Sequence, residues 1–443
     1  MSWRAEADGS VGQDTLAWYE RIALGRPGAI VIEASGIRDI PSGPLLRISD
    51  DRFIEGLSRL VRAIRAASDG QTRVFIQIID FLAIRRRPDP RRYFSDFLVL
   101  RDEHRKAMGT GDDTDVRARL AALPPEELRE VLSASEWRDL NWGARERVTD
   151  IAQAAIRDLP LHLPGLFARA ACRAEAAGCD GVELHYAHAY TMASFLSATN
   201  TRTDGWGGSL EGRVRLPVDV IRATRQAVGD GFSVGCRMLS DECIEGGTTV
   251  EEAIWIATRL GEAGLDFLSL SRGGKFDDAA QPKIGEAAYP YTGPSGYECI
   301  PHAISDERGP FGRNIEASRR IRSALRVAGL DLPVVCAGGV HSLDRAERML
   351  RSDVCDIVGS ARQFMADPDW LEKIRKGEGG CVRVCTYTNY CEGLDQKHKQ
   401  VTCRLWDRER LDAPNVRLAA DGKRRLECPV VTSGDQAVND RRP

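Results

Sequence analysis

The chain has 443 residues, and its 62 Lys and Arg nearly balance 65 Asp and Glu, for a net charge of −3. With no basic stripe, nucleic acid is excluded as a partner. The opening MSWRAEADGS has no apolar stretch of the kind that heads a secretory leader, and no apolar run approaches the ~20 residues of a membrane helix. The expectation is a cytoplasmic chain, off the membrane, whose twelve cysteines are thiols or metal ligands rather than disulfides.

Short β-branched runs alternate with longer helical patterns. The expected strands are AIVIEA (29–34), VFIQII (74–79), GVELH (181–185), FSVGCRML (232–239), FLSLS (267–271), PVVCAGG (333–339) and CDIVGSA (355–361). Each is short and apolar and ends near a glycine, a serine or a polar residue, as parallel strands buried on both faces do. Between them, FIEGLSRLVRAIRAASDG (53–70), LPGLFARAACRAEAAG (163–178) and VEEAIWIATRLGEAG (250–264) carry apolar residues at helical spacing and stop at glycine. Repeated β-then-α units imply an α/β fold with a parallel sheet, most naturally a closed (β/α)8 TIM barrel over residues 1–370. Seven strands are found, one short of eight, so the first strand is expected to be truncated.

Three segments break the repeat. Residues 85–157 are highly charged and read as a helical insertion, either a solvated excursion or a cap over the barrel mouth. Residues 272–313 form a long loop with many Gly, Pro and Tyr residues, of the kind used as a lid, in which Tyr289, Tyr291 and Tyr297 suggest a ligand with an apolar or aromatic face. Residues 371–443 make a Cys-rich extension whose last fifteen or so residues are expected to be disordered.

A barrel keeps its chemistry at the carboxyl ends of its strands. ELHYAHAY (183–190) places His185 at such an end, with His188 and Tyr190 in the following loop. Imidazoles donate hydrogen bonds to a carbonyl or oxyanion, and a phenol can give up a proton. The three together suit activation of a carbonyl compound and protonation at a neighbouring carbon. Two glycine-bearing turns, CAGGV (336–340) and GSAR (359–362), follow the last two strands, where such barrels hold phosphate. Arg237, inside a strand, needs a reason to be there, because an unpaired buried charge is costly.

ELHYAHAYTMASFLSATNTRTDGWGGSLEGRVR resembles the signature of the Old Yellow Enzyme family, the FMN-dependent ene-reductases, which reads H-x-A-H-G-Y-L, then S-P-x-x-N, then R-x-D-x-Y-G-G-S-x-E-N-R. The chain keeps His185, His188, Tyr190, Asn200, Arg202, Asp204, Gly207, Gly208, Ser209, Glu211 and Arg213, and departs at Ala189 for Gly, Trp206 for Tyr and Gly212 for Asn. The resemblance covers residues 4–82 and 150–370 and not the insertion. It implies that His185 and His188 hold a substrate carbonyl oxygen, that the flavin N5 delivers hydride to the β-carbon, and that Tyr190 protonates the α-carbon. It implies FMN held by Gly338, Gly339, Ala361 and Arg362 at the phosphate, by Arg237 at the ring edge that gains charge on reduction, and by Gln77 and Ala34 around the pyrimidine. The 202–213 stretch is expected to brace the barrel rim.

The family opens with a strand ending in A-P-M-T or A-P-M-C, then R-x-x-x-D-G. MSWRAEADGSV resembles the tail of that motif with Met1 in the methionine's place, so the expectation is a start displaced from one further upstream. The tail resembles the iron–sulfur segment of the 2,4-dienoyl-CoA reductase and trimethylamine dehydrogenase branch, spaced C-x2-C, then two or three residues, then eleven or twelve. Cys381, Cys385, Cys391 and Cys403 have gaps of three, five and eleven. They could hold a 4Fe-4S cluster or zinc, with His398 as a substitute ligand, or remain plain thiols. No strand-linked G-x-G-x-x-G is found, so NAD(P)H is expected to reach the flavin through the open mouth. The expected activity is reduction of an activated C=C bond of a small molecule. The alternatives are a flavin dehydrogenase or demethylase passing electrons to a carrier protein, and a flavin-poor barrel acting as a scaffold. A homo-oligomer is compatible with either.

Overall fold

A computed structural model of the chain describes residues 1–40, 45–273, 281–288 and 311–430. All seven expected strands form: β1 (Ala29–Gly36), β2 (Arg73–Ile79), β3 (Gly181–Tyr186), β4 (Ser233–Leu239), β5 (Phe267–Ser271), β6 (Val334–Ala337) and β7 (Ile357–Gly359). They make one sheet in sequential order β1-β2-β3-β4-β5-β6-β7, and every pairing is parallel. This is the strand order of a TIM barrel. Among the described residues no pairing joins β7 to β1. On those two edge strands Val31 and Ile357 stay exposed, at 41% and 49%.

The helices between the strands bury one face each. Ile54–Ala67 buries Leu57, Leu60, Val61 and Ile64, spaced three and four apart. Val250–Glu262 starts at a capping box of Thr249 and Glu252 and buries Ala253, Ile256, Ala257 and Leu260. One device recurs where the strands begin. Asp180, Asp266 and Asp356, each just before a strand, accept the first ladder N–H of the strand before: Val74 at 2.7 Å, Val234 at 2.7 Å and Val334 at 2.9 Å. Arg65, Arg225 and Arg322, from the outer helices, pair with these carboxylates. Strand register and helix docking are therefore fixed by the same side chain.

The insertion is helical as expected, with helices at Asp102–Met108, Asp113–Ala122, Pro125–Val131 and Ala134–Trp142. It has its own core of Tyr93, Phe94, Leu98, Val116, Leu120, Leu128, Leu132 and Leu140. Its root is an antiparallel bridge between Ile84 and Arg145. Arg87 N donates to Glu286 O at 2.9 Å, and Gly285 N donates to Arg87 O at 2.8 Å. Those bonds tie the root to the 281–288 segment. The rest of the expected lid, including Tyr289, Tyr291 and Tyr297, lies outside the described residues, as does the polar tail beyond 430.

The Cys-rich extension packs onto the barrel, although its sequence shows no period. Trp406, 1% exposed, joins the main core and donates to Met365 O at 2.8 Å. Arg4, stacked over Trp18, donates to Val401 O at 2.9 Å and Leu426 O at 2.8 Å, binding the extension to the first residues of the chain. No disulfide joins the described cysteines. No described helix is long and apolar enough to cross a membrane.

The signature loop braces the rim. Arg202, buried, pairs with Asp204 at 2.5 Å and donates to the carbonyls of Val148 (2.8 Å), Ile156 (3.2 Å) and Arg157 (2.9 Å). Arg213 pairs with Glu252 at 2.6 Å rather than with Glu211. At Gly207 an added Cβ would sit 2.5 Å from Asn200 Oδ1. After β3 the backbone turns left-handed at His188 (φ 60°) and Ala189 (φ 59°).

Two measurements check these readings. Replacing Arg202 with Met leaves an unpaired carboxylate and three stranded carbonyls, so urea unfolding should show a loss on the order of 3–5 kcal/mol. A loss near that of a surface substitution would remove the loop's bracing role. Ala189→Gly should raise stability by roughly 1 kcal/mol, because a Cβ in the left-handed region costs about that much. An unchanged or lower unfolding midpoint would show that the turn carries no such strain.

Candidate active site

The site is built where β3, β4 and β5 end. In register, His185 on β3 lies beside Arg237 on β4, and Arg237 beside Ser269 on β5. Arg237 Nη1 donates to Ser269 Oγ at 3.0 Å. One turn further out, His188 Nε2 meets Ser271 Oγ at 2.8 Å. The His185 ring lies 5.1 Å from that of His188 and 5.6 Å from that of Tyr190. Tyr190 rests edge-on against Phe81 at 5.2 Å. The three proton-handling groups read from the sequence are thus brought together. His185 Nδ1 is buried with no hydrogen-bond partner in the described structure, a donor or acceptor position left for something else.

The electrostatics keep all three uncharged. Burial, then the nearby Arg237 cation, pushes His185 down to about 3. Burial, then His185 and Arg237, holds His188 well below the usual histidine range. Burial, then the carboxylates of Asp395 and Glu392, raises Tyr190 above an ordinary phenol. At neutral pH the site therefore offers two neutral imidazoles and a protonated phenol.

Beside this trio lies a cavity of about 320 Å³, lined by His188, Arg237, Gly338, Gly339, Arg362 and Glu392 among others. That volume is at the small end of ligand pockets. Gly338 (φ 129°) and Gly339 (φ 66°) turn the chain at the end of β6 in conformations that L side chains rarely adopt. A Cβ added at Gly338 would meet nothing nearer than Asn314 Cβ at 3.9 Å, so an anion can approach the backbone there. Ser360 Oγ donates to Val340 O at 2.9 Å and locks the β6 and β7 turns together. Ala361 and Arg362 follow β7. Arg362 donates to Asn389 Oδ1 at 3.0 Å and lies over the Tyr387 ring at 4.5 Å. Met1 lines the same cavity. A glycine cradle, a cation after the last strand, a half-buried cation among the strands and an orphaned imidazole nitrogen form a donor set that fits a phosphorylated flavin.

Two expected contributors, Gln77 and Ala34, are not among the residues that line this cavity. Gln77 is turned along the sheet, its Nε2 donating to Glu183 Oε1 at 2.5 Å. Ala34 lies in a small apolar cluster with Trp3, Leu45, Ile79, Phe81, Leu394 and Val401. The four cysteines of the expected metal set, Cys381, Cys385, Cys391 and Cys403, all lie in the described part of the extension. Among the described residues no three His, Cys, Asp or Glu side chains are arranged to hold a metal ion. Cys385, Cys391 and Cys403 lie within electrostatic reach of one another. Cys381 is exposed at the end of the Gly379–Cys381 turn. His398 stacks on Trp3 at 4.0 Å and contacts Arg86 at 2.8 Å.

Sequence reading also missed several cavity residues. Ser271 was signalled by serines at alternate positions of FLSLS. Arg272 and Arg313 carried no such signal. Arg272 donates to Arg313 O at 2.6 Å and to Asp241 at 2.9 Å. Glu392 and Asp395 come from a short helix, Tyr390–Gln396, in the aperiodic extension.

Comparison with known proteins agrees with this geometry. Residues 163–293 match the sequence model of the NADH:flavin oxidoreductase / NADH oxidase family. The chain is 27% identical over 390 residues to an NADH oxidase of Thermoanaerobacter brockii, covering 87% of this chain and 49% of that protein. The chain therefore spans about half the length of such curated relatives. Among solved structures, a 2-naphthoyl-CoA reductase complex superposes with a TM-score of 0.64 at 20% identity, covering 94% of this chain and 56% of the other. Histamine dehydrogenase from Rhizobium sp. 4-9 superposes with a TM-score of 0.62 at 23% identity, covering 91% and 49%. These two likenesses concern the fold. Signature, strand order and matched relatives agree in likening this chain to the NADH:flavin oxidoreductase / NADH oxidase family, whose model it matches over residues 163–293.

Proposed function

We propose that the chain binds FMN in the 320 Å³ cavity and, with NAD(P)H as reductant, reduces the activated C=C bond of a small enone- or enoyl-type molecule. The observation that carries this reading is the grouping of His185, His188 and Tyr190, with the His185 ring 5.1 Å from His188 and 5.6 Å from Tyr190, where His188 lines the cavity that also holds Arg237 and the glycine turns. Gly338, Gly339, Ala361 and Arg362 would hold the phosphate, and Arg237 would face the part of the ring that gains negative charge. When bound, FMN supplies the two-electron exchange that no side chain here can perform.

The side chains do the rest. His185 and His188, both neutral, donate hydrogen bonds to the substrate's carbonyl oxygen and draw electron density from its conjugated C=C. A Ser271 hydroxyl donating to His188 Nε2 puts that ring's proton on Nδ1, where it can be donated. Neutral imidazoles suit this task better than imidazolium ions, since they polarise the carbonyl without handing over a proton. Tyr190 keeps its proton because Asp395 and Glu392 disfavour a phenolate, and gives it to the α-carbon once electron density builds there. Nicotinamide and substrate would use one mouth in turn, so ping-pong kinetics are expected.

Three outcomes test the reading. An anaerobic visible spectrum of the purified protein should show oxidised flavin that bleaches on adding NADPH or NADH; a flavin that ignores both would remove the proposed reductant. Tyr190→Phe should leave that bleaching within about twofold of the parent while slowing enone reduction by roughly 10²–10⁴-fold. Equal loss in both half-reactions would mean that Tyr190 acts on the fold or the cofactor instead. The third outcome concerns acid. An unfolded histidine takes up a proton near pH 6.5, whereas folded His185 does so only at about 3. The folded state is thus favoured by this group above pH 6.5 and loses that advantage as the pH falls towards 3. His185→Asn should lose less stability than the parent between pH 7 and 5, by about 2 kcal/mol. Parallel acid profiles would show that His185 is not held neutral.

A further inference from the structure

The cysteine-rich extension carries a second conclusion. Cys385, Cys391 and Cys403 lie near one another, and Cys391 also lines the cavity. Cys381 is exposed at the end of a short turn, four positions before Cys385. Counting from Cys385, two residues lead to Thr388, two more lead to Cys391, and eleven lead to Cys403. That is the iron–sulfur spacing of the cluster-bearing branch, with threonine at the second ligand position. Thr388 is exposed, between Tyr387 (φ 51°) and Asn389 (φ 55°), in a turn that belongs to no helix or strand.

We infer that the extension is the frame of a four-thiolate iron–sulfur site whose second ligand has been replaced by Thr388, so that this chain assembles no cluster and exchanges electrons only through the open cavity. A threonine hydroxyl is a hard, neutral donor and does not replace a thiolate on iron in such a cluster. Cys381 precedes Cys385 by four positions, so it does not fall at the second-ligand position of this spacing. The frame is kept for packing. The helix Tyr390–Gln396 that bears Cys391 also bears Leu394 of the apolar cluster, and Trp406, three residues after Cys403, is held in the main core. The statement about electron route rests on the function proposed above: reductant and substrate must then meet the same cavity in turn, with no separate exit for single electrons. A carrier protein served by a cluster in this chain has nothing to dock onto.

The test needs no turnover. The full chain is incubated anaerobically with ferrous iron, sulfide and a thiol reductant, then desalted. Bound iron and acid-labile sulfide are measured, and spin resonance spectra are recorded after dithionite reduction. The parent protein should hold well under one iron per chain and give no cluster signal. Thr388→Cys should hold about four iron and four sulfide per chain. Adding Cys381→Ala to Thr388→Cys should leave that loading unchanged. Stoichiometric cluster in the parent overturns the inference, and this arm requires no variant to fold. A folded Thr388→Cys protein with no more iron than the parent, its fold checked by circular dichroism, overturns the assignment of Thr388. So does loss of loading on removing Cys381. Bleaching of the flavin by nicotinamide in the parent reports on the proposed function separately, so failure of one reading leaves the other visible.

Discussion

A permanent positive charge in the middle of the sheet governs the site. Arg237 projects from β4 between His185 of β3 and Ser269 of β5, and only the serine hydroxyl is close enough to satisfy it directly. An arginine cannot shed its proton to relieve the cost of burial. Its surroundings must therefore adapt to it. The two histidines stay neutral chiefly because they are buried, and a second cation beside Arg237 would add to that cost. The cavity beyond it draws anions. A charge that would burden an ordinary core thus sets both the protonation of the polarising groups and the sign of the ligand.

The second constraint is that the cavity wall is shared between distant parts of the chain. Strand ends supply Arg237, Gly338, Gly339 and Arg362, while the extension supplies Tyr387, Cys391, Glu392 and Asp395. Arg362 joins the two, since it follows β7 and reaches Asn389 and Tyr387. Arg4 and Trp3 hold the extension from the other side. Tyr190 depends on this arrangement too. The carboxylates that, after burial, make its phenol a weaker acid belong to the extension and not to the barrel.

The barrel was legible in the sequence because each strand is an apolar run of limited length bounded by polar or glycine positions, a pattern that burial on both faces imposes. The histidine pair and the tyrosine were legible because a parallel strand hands its chemistry to whatever follows it. The three aspartates that fix strand register recur in CDG, LDF and CDI, a repeat that a search for catalytic groups passes over. Gln77 shows the limit of carrying a role across. Its place on β2 was readable, but Glu183, opposite it in register, decides where the amide points. The extension was least legible. It has almost no secondary structure, so neither period nor propensity reveals how it packs.

The insertion leaves and rejoins the barrel side by side, at the antiparallel bridge between Ile84 and Arg145. Its helices close on their own apolar centre, so the barrel's interior does not depend on them. Geometrically this is a graft with a single stem. The scaffold below needs only that two neighbouring chain ends be joined, and a two- or three-residue turn can do this as well as a helical module can. Sequence drift in the module is therefore decoupled from the catalytic floor. What grows on that stem can change the shape of the mouth, and so what is admitted, without altering the chemistry beneath.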